Sequence, residues 1–110
     1  MTTPLYNLSF EEWPDLVIAI LTGEVDRSNA NAVERLLSTR TGDRRLVLDL
    51  SGLRYVDSAG IEMLLALNRG TALHVVLPEQ AAISYALHVA GVDKLVRTFP
   101  DVRAATNEAS

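Results

Sequence analysis

The sequence contains no cysteine, and this absence excludes disulfide frameworks, thiolate metal sites and thiol nucleophiles. Positive charge is also sparse. The ten Lys and Arg residues are scattered, with Arg44-Arg45 as the only adjacent pair, and the formal net charge is −4. Because binding to duplex nucleic acid needs clustered positive charge that displaces counterions, we expect no nucleic-acid partner.

Long apolar runs are absent as well. No run approaches the roughly 20 residues that a membrane-spanning helix needs. The first residues, MTTPLYNLSFEEWPD, lack the basic start and the apolar stretch of a signal peptide. We therefore expect a cytoplasmic protein that does not insert into a membrane.

The composition fits one globular domain. Hydrophobic residues make up 48% and charged residues 22% of the 110 residues, which are ordinary values for a folded soluble protein. A chain of this length can bury a core of its own. We predict a single domain over residues 1–110, with its core at about 5–105 and a flexible tail at 106–110.

The start of the chain predicts a β-hairpin. Tyr6, Leu8 and Phe10 alternate with less apolar neighbours, which is the period of a half-exposed strand. The continuous apolar run LVIAIL (16–21) indicates a second strand, covered on both faces. The polar segment 11–15 contains a proline and predicts the turn between them.

Helices and strands alternate after the hairpin. The predicted elements are a helix capped by Ser28 or Asn29, a strand at 46–50, a connector at 51–56, a helix from 58 to about 69 with Ile61, Leu64 and Leu65 facing inward, a strand at 73–77, a helix at 79–90 ended by Gly91, a short strand at 95–99 and a helical turn at 100–105. This order predicts an α/β fold with a mixed sheet of four to five strands, packed with about four helices mainly on one face.

The stretch YVDSAGI (55–61) places small and polar residues between two apolar segments. Asp57 or Ser58 can accept hydrogen bonds from the first N–H groups of a helix, and such a cap is the commoner role of a DSAG sequence. The capping-box spacing fails, however, because Gly60 and Ile61 stand where it needs an acid, and Glu62 comes one position later. The residues alone favour a cap and leave a functional Ser58 hydroxyl as the alternative.

The sequence offers no positive case for an enzyme. A serine nucleophile needs a histidine base and an orienting acid, whereas His74 and His88 stand alone and GxSxG is absent. A phosphate-binding GxxxxGK[ST] loop is absent too. Asp49 ends a strand like a phosphoacceptor or metal-binding carboxylate, but such a site needs an earlier adjacent acidic pair and a lysine after a later strand. Glu11-Glu12 falls in the predicted hairpin turn, and the only lysine is Lys94. We expect no catalytic activity, no cofactor and no metal.

Two segments carry a resemblance to a known family. LTGEVDRSNANAVERLL, followed by RRLVLDLSGLRYVDSAGIEMLLAL, resembles the STAS domain and most closely the bacterial anti-sigma factor antagonists. The resemblance covers nearly the whole chain, and its most specific part runs from Leu46 to Leu65. It implies the STAS fold, a compact mixed sheet backed by helices.

The resemblance also implies a phosphorylation switch. In that family an anti-sigma factor, which is also an ATP-dependent serine kinase, phosphorylates the serine of the D-S-x-G turn. The unphosphorylated antagonist binds the kinase and frees the sigma factor, and a serine phosphatase restores this form. Carried over to this chain, the phosphoacceptor is Ser58. The implied partner-binding residues are Asp26, Asp57, Ser58, Ala59, Gly60 and Glu62.

Glu62 departs from the family pattern, which usually has a small residue one turn after the serine. It lies four residues after Ser58, on the same helix face, and adds negative charge there. The alternative is therefore a STAS module that works without phosphorylation, as a scaffold or as the small cytoplasmic subunit of a membrane transport complex.

Overall fold

The computed structural model describes residues 5–107. In chain order, its elements are β1 (Tyr6–Trp13), β2 (Leu16–Val25), α1 (Ala30–Thr41), β3 (Arg45–Asp49), β4 (Leu53–Val56), α2 (Ser58–Gly70), β5 (Leu73–Val76), α3 (Ser84–Val89), a 3₁₀ turn (Val92–Lys94), β6 (Arg97–Phe99) and α4 (Val102–Asn107). No helix within residues 5–107 combines the length and apolar character needed to cross a bilayer.

The strands form one mixed sheet in the order β1-β2-β3-β5-β6, and β4 pairs with β2 beside this path. β1 and β2 form the predicted antiparallel hairpin, with Tyr6 opposite Gly23 and Trp13 opposite Leu16. The turn was predicted too long at 11–15, because Glu11, Glu12 and Trp13 pair with β2 and only residues 14–15 connect the strands. The remaining pairs are parallel. The α/β class and the leading hairpin are thus confirmed, with six strands instead of the predicted four or five.

A large core and a small one lie on opposite faces of the sheet. On one face, apolar residues of β2, β3 and β5 pack against α1, α2 and α3, as Val33, Leu64 and Leu87 illustrate. On the other face, Leu16, Val47 and Val76 pack against Ala105 of α4. Three of the four helices therefore share one face, in agreement with the prediction.

The predicted connector at 51–56 was wrong, because Leu53–Val56 form β4. β2 runs on to Val25, beyond the predicted end at residue 21, and this extension gives β4 a strand to pair with. Arg54 and Tyr55 are exposed, so the short strand has no continuous apolar run in the sequence.

Three helix predictions also needed correction. The inward stripe of α2 consists of Gly60, Met63, Leu64 and Leu67, whereas Ile61 and Leu65 are only partly buried. α3 begins at Ser84 instead of residue 79, because residues 78–84 form turns in which the Ser84 hydroxyl donates to the Pro78 carbonyl. Thr106 and Asn107, expected in the tail, belong to α4, and residues 108–110 lie outside the described part.

Candidate functional site

The candidate site lies where the parallel strands β2 and β4 end side by side. Val25 pairs with Val56 in the ladder, and the Asp57 N–H donates to the Val25 carbonyl at 3.3 Å. The loop at 26–29, which leads into α1, and the start of α2 therefore lie next to each other. This pairing joins the GEVD and DSAG segments, which are about thirty residues apart in the sequence.

Asp57 is the N-cap of α2. Its Oδ1 accepts hydrogen bonds from the backbone N–H groups of Ala59 at 2.9 Å and Gly60 at 3.1 Å. Its Oδ2 accepts from the N–H of Arg27 at 3.2 Å. Partial desolvation raises the pKa of the Asp57 carboxyl, but these N–H groups and the Arg27 charge outweigh it, so the pKa lies below its ordinary value.

Ser58 is the first residue of α2, and its side chain is exposed. Within residues 5–107, its hydroxyl has no hydrogen-bond partner. The two candidate roles of the DSAG sequence, a helix cap and a functional hydroxyl, thus belong to two different residues. Asp57 caps the helix, and the Ser58 hydroxyl is exposed to solvent.

Gly60 is buried beneath the first turn of α2, against the ends of β2 and β4. A Cβ atom at this position would lie 2.2 Å from Cγ2 of Val56 and 3.2 Å from the Val25 carbonyl oxygen. Glycine is therefore required by close packing with the strands. This packing explains a glycine that is unfavourable for the helix itself.

Asp26 organises the neighbouring loop. Its Oδ1 accepts hydrogen bonds from the backbone N–H of Ser28 at 2.8 Å and from the Ser28 hydroxyl. Its own N–H donates to Oδ1 of Asn29 at 2.9 Å. Asn29 is the N-cap residue of α1, but its side chain turns back to Asp26 and to the Glu24 carbonyl, so it does not cap the helix as predicted.

Charged side chains line the groove next to the start of α2. Glu62 is exposed on α2 and lines the groove between α1 and α2, together with Arg27, Ala59 and Arg69. Arg27 was not among the predicted site residues, although it directly follows Asp26. Arg27 follows β2, which was predicted to end at residue 21, and Asp57 follows β4, which was not predicted. The sequence therefore did not indicate that these two residues meet at one edge of the sheet.

Of the predicted site residues, the structure brings Asp26, Asp57, Ser58, Ala59 and Gly60 together at this strand edge. Glu62 follows one turn later. Gly60 is covered by protein, and Ala59 is half-buried. The side chains open to solvent are therefore those of Ser58 and Glu62, with Asp26 and Asp57 partly exposed.

Other polar groups have structural partners. Oδ1 of Asp49 accepts from the Ser51 N–H at 2.9 Å, so this strand-end carboxylate satisfies its own loop. Nδ1 of His88 lies 2.8 Å from Oδ2 of Asp93 on the surface. Across residues 5–107, no group of three or more His, Asp or Glu side chains could hold a metal ion.

Comparison with known proteins gives one family match and one curated relative. Residues 15–97 match the family model described as Mlab, STAS domain. BtrV of Bordetella bronchiseptica, which carries the name of an anti-sigma factor antagonist, is 38% identical over 61 residues. This match covers 54% of the chain and 53% of the relative, so the chain spans about half the length of the curated relative it matches.

Two solved structures share the fold. The anti-sigma factor antagonist from Mycobacterium paratuberculosis is 23% identical, with a TM-score of 0.81 and 96% of each chain covered. SpoIIAA, a Bacillus cell fate determinant in its phosphorylated form, is 16% identical, with a TM-score of 0.63 and coverage of 91% of this chain and 97% of that one. At these identities the likeness establishes the fold alone.

Proposed function

The chain belongs to the STAS-domain family, and on this premise we propose that it is an anti-sigma factor antagonist, a protein-binding module without catalytic activity of its own. In its unphosphorylated form it binds an anti-sigma factor that is also a serine kinase, and this binding releases the sigma factor. Phosphorylation of Ser58 by that kinase ends the binding, and a serine phosphatase reverses the modification.

The observation that carries this proposal is the exposed Ser58 hydroxyl, which has no partner within residues 5–107. Asp57 supplies the cap of α2, so a substituent on Ser58 Oγ removes no hydrogen bond that holds the helix start. A phosphate would also lie at the positive end of the helix dipole. The domain is therefore expected to stay folded in both states.

The transfer step requires a partner kinase, because the sequence has no GxxxxGK[ST] loop that could bind the phosphates of ATP. Ser58 Oγ forms the new bond to the γ-phosphorus of ATP, while the bond from that phosphorus to the β–γ bridging oxygen breaks and ADP leaves. The hydroxyl proton passes to a base of the kinase. Family membership and the phosphorylated form of SpoIIAA, a protein of the same fold, support this assignment.

The charge of the phosphate explains why phosphorylation would weaken binding to the kinase. A phosphate adds about −1.5 to −2 charge at pH 7. In a partly desolvated interface this charge would lie close to Asp57 and Asp26, and near Glu62, and repulsion and desolvation would both oppose docking. A loss of about 3 kcal/mol in binding free energy lowers affinity more than a hundredfold.

The test incubates the purified chain with ATP and the anti-sigma factor kinase of the same cell. Intact-mass analysis should show one added phosphate, and peptide mapping should place it on Ser58. Ser58→Ala should keep kinase binding but accept no phosphate, and Ser58→Asp should lose binding. Ser9→Ala, which removes another exposed serine, is the matched control and should behave as wild type. Absence of modification on wild type would refute the proposal.

The second candidate is a STAS module that works without phosphorylation, as a scaffold or a small subunit of a membrane transport complex. The exposed Glu62, one turn after Ser58, favours it because the acid adds negative charge where a kinase would dock. Affinity capture from the native cell separates the two candidates. Recovery of a transporter ATPase without any kinase would decide for the second.

A further inference from the structure

Arg27 occupies a distinctive place beside Ser58. Its backbone N–H donates to Oδ2 of Asp57 at 3.2 Å, which fixes its main chain next to the residue that precedes Ser58. Its side chain is exposed and lines two surface depressions. One depression includes Asp57 and the other, the groove between α1 and α2, includes Ala59, so Arg27 shares a depression with each sequence neighbour of Ser58.

The charge of Arg27 acts on Asp57, whose pKa it helps to lower, but it does so without direct contact between the two side chains. Between residues 5 and 107, its guanidinium makes no hydrogen bond and no ion pair. The two depressions are lined by four carboxylates, those of Asp26, Glu34, Asp57 and Glu62. Arg27 is the cation that lines both depressions.

Arg69 is the other cation of the α1–α2 groove, but it belongs to the last turn of α2. Eleven residues separate it from Ser58 along the helix, which corresponds to about 16 Å at 1.5 Å per residue. At this distance exposed charges are strongly screened by salt. Arg69 thus offers a control that has the same charge and lies in the same groove.

We propose that Arg27 binds the phosphate on Ser58 as its intramolecular cationic partner. This inference rests on the proposed phosphorylation of Ser58. A guanidinium presents paired N–H donors that match two phosphate oxygens, and its main chain is already held beside the site. Phosphorylation then changes the docking surface in two ways. It adds negative charge, and it pairs the Arg27 side chain, which is exposed to solvent in the unphosphorylated form, with the phosphate.

The experiment uses the whole chain with phosphoserine inserted at position 58 during translation, so no kinase is needed. A ³¹P NMR titration measures the second pKa of the phosphate, which is about 6 for an unperturbed phosphoserine. The wild-type value is the reference, because Arg27 lowers this pKa whereas the nearby carboxylates raise it. Arg27→Ala should raise it by about 0.5 or more, and Arg27→Lys should keep most of the lowering.

Two further variants sharpen the result. Glu62→Gln removes an acidic neighbour and should lower the phosphate pKa, whereas Arg69→Ala should leave it unchanged although it removes the same charge as Arg27→Ala. Circular dichroism should show that all variants are folded, since Arg27→Ala keeps the backbone N–H that binds Asp57. Equal effects of Arg27→Ala and Arg69→Ala, or no effect of either, would overturn the inference.

The two proposals fail independently. If the kinase does not modify wild-type Ser58, the proposed function fails, but the titration of the inserted phosphoserine still reports on Arg27. If the titration shows no role for Arg27, the phosphorylation switch stands and only the intramolecular ion pair is lost.

Discussion

The Asp57 carboxylate accepts a hydrogen bond from the Arg27 backbone N–H at 3.2 Å, across 30 positions of sequence. The same carboxylate caps α2 through Ala59 and Gly60. One side chain therefore fixes the start of α2 and the loop that leads into α1. The position of Ser58 on the surface depends on this carboxylate.

The charge of Asp57 should make a pH-dependent contribution to stability. Its pKa is lowered in the folded chain from an ordinary value of 3.8, so the folded state favours the ionised form. The contribution is therefore present above about pH 4 and is lost as pH falls through the lower folded pKa. Asp57→Asn keeps an oxygen that can cap α2, but it removes the charge and the second oxygen, which accepts from the Arg27 N–H. Only the pH-dependent part of its effect therefore reports the charge.

The measurement is urea unfolding of wild type and Asp57→Asn between pH 2.5 and pH 7. The wild type should be the more stable of the two near neutral pH, and the difference should shrink toward the acid end. Asp15→Asn, at an exposed carboxylate of the β1–β2 turn, is the control. A difference that stays constant down to the lowest pH would contradict the prediction.

Gly60→Ala should destabilise the protein by about 1–3 kcal/mol, because the new methyl group would overlap Cγ2 of Val56 at 2.2 Å. This cost outweighs the roughly 1 kcal/mol by which alanine favours a helix over glycine. Gly70→Ala, in the last turn of the same helix, meets no atom within 4 Å and should be neutral or stabilising.

Chemical denaturation of both glycine variants gives the free energies of unfolding. Combining Gly60→Ala with Val56→Ala removes the nearest overlapping atom and should cost less than the sum of the two single changes. Simple additivity of the two changes would contradict a direct contact between positions 56 and 60.

The sequence predicted the elements whose pattern is local. The alternation of Tyr6, Leu8 and Phe10 marked β1, and the polar start of DSAG marked the beginning of α2 at Ser58. Each of these signals lies within a few residues of the element it defines. They were sufficient for the α/β class and for the position of Ser58 at a helix start.

Features that depend on distant partners were missed. β4 has two exposed residues, Arg54 and Tyr55, and exists because the end of β2 offers it a parallel partner. The place of Arg27 beside Asp57 follows from that pairing. Gly60 was likewise interpreted through the helix alone, whereas its reason is packing against Val56 on β4. The positions of Arg27 and Gly60 were both misjudged because β4 was not predicted.

His74→Phe should destabilise the attachment of α4 to the sheet. His74 is buried, and its Nδ1 lies 2.9 Å from the Ala105 carbonyl oxygen of α4. A carbonyl only accepts, so Nδ1 is the donor. Phenylalanine keeps a ring near Phe99 but leaves that buried carbonyl without its donor, at a cost of about 1–3 kcal/mol.

Amide hydrogen exchange rates test whether His74 holds α4 against the sheet. Exchange in His74→Phe should accelerate most at Ala105 and its neighbours in α4, with smaller changes in α1 and α2 on the opposite face. The control is His88→Phe, at a histidine whose side chain is 66% exposed and pairs with Asp93, because surface pairs contribute about 0–1 kcal/mol. Faster exchange in α1 than in α4 would contradict a local role of His74, since its hydrogen-bond partners are the Ala105 carbonyl of α4 and the Arg97 guanidinium of β6.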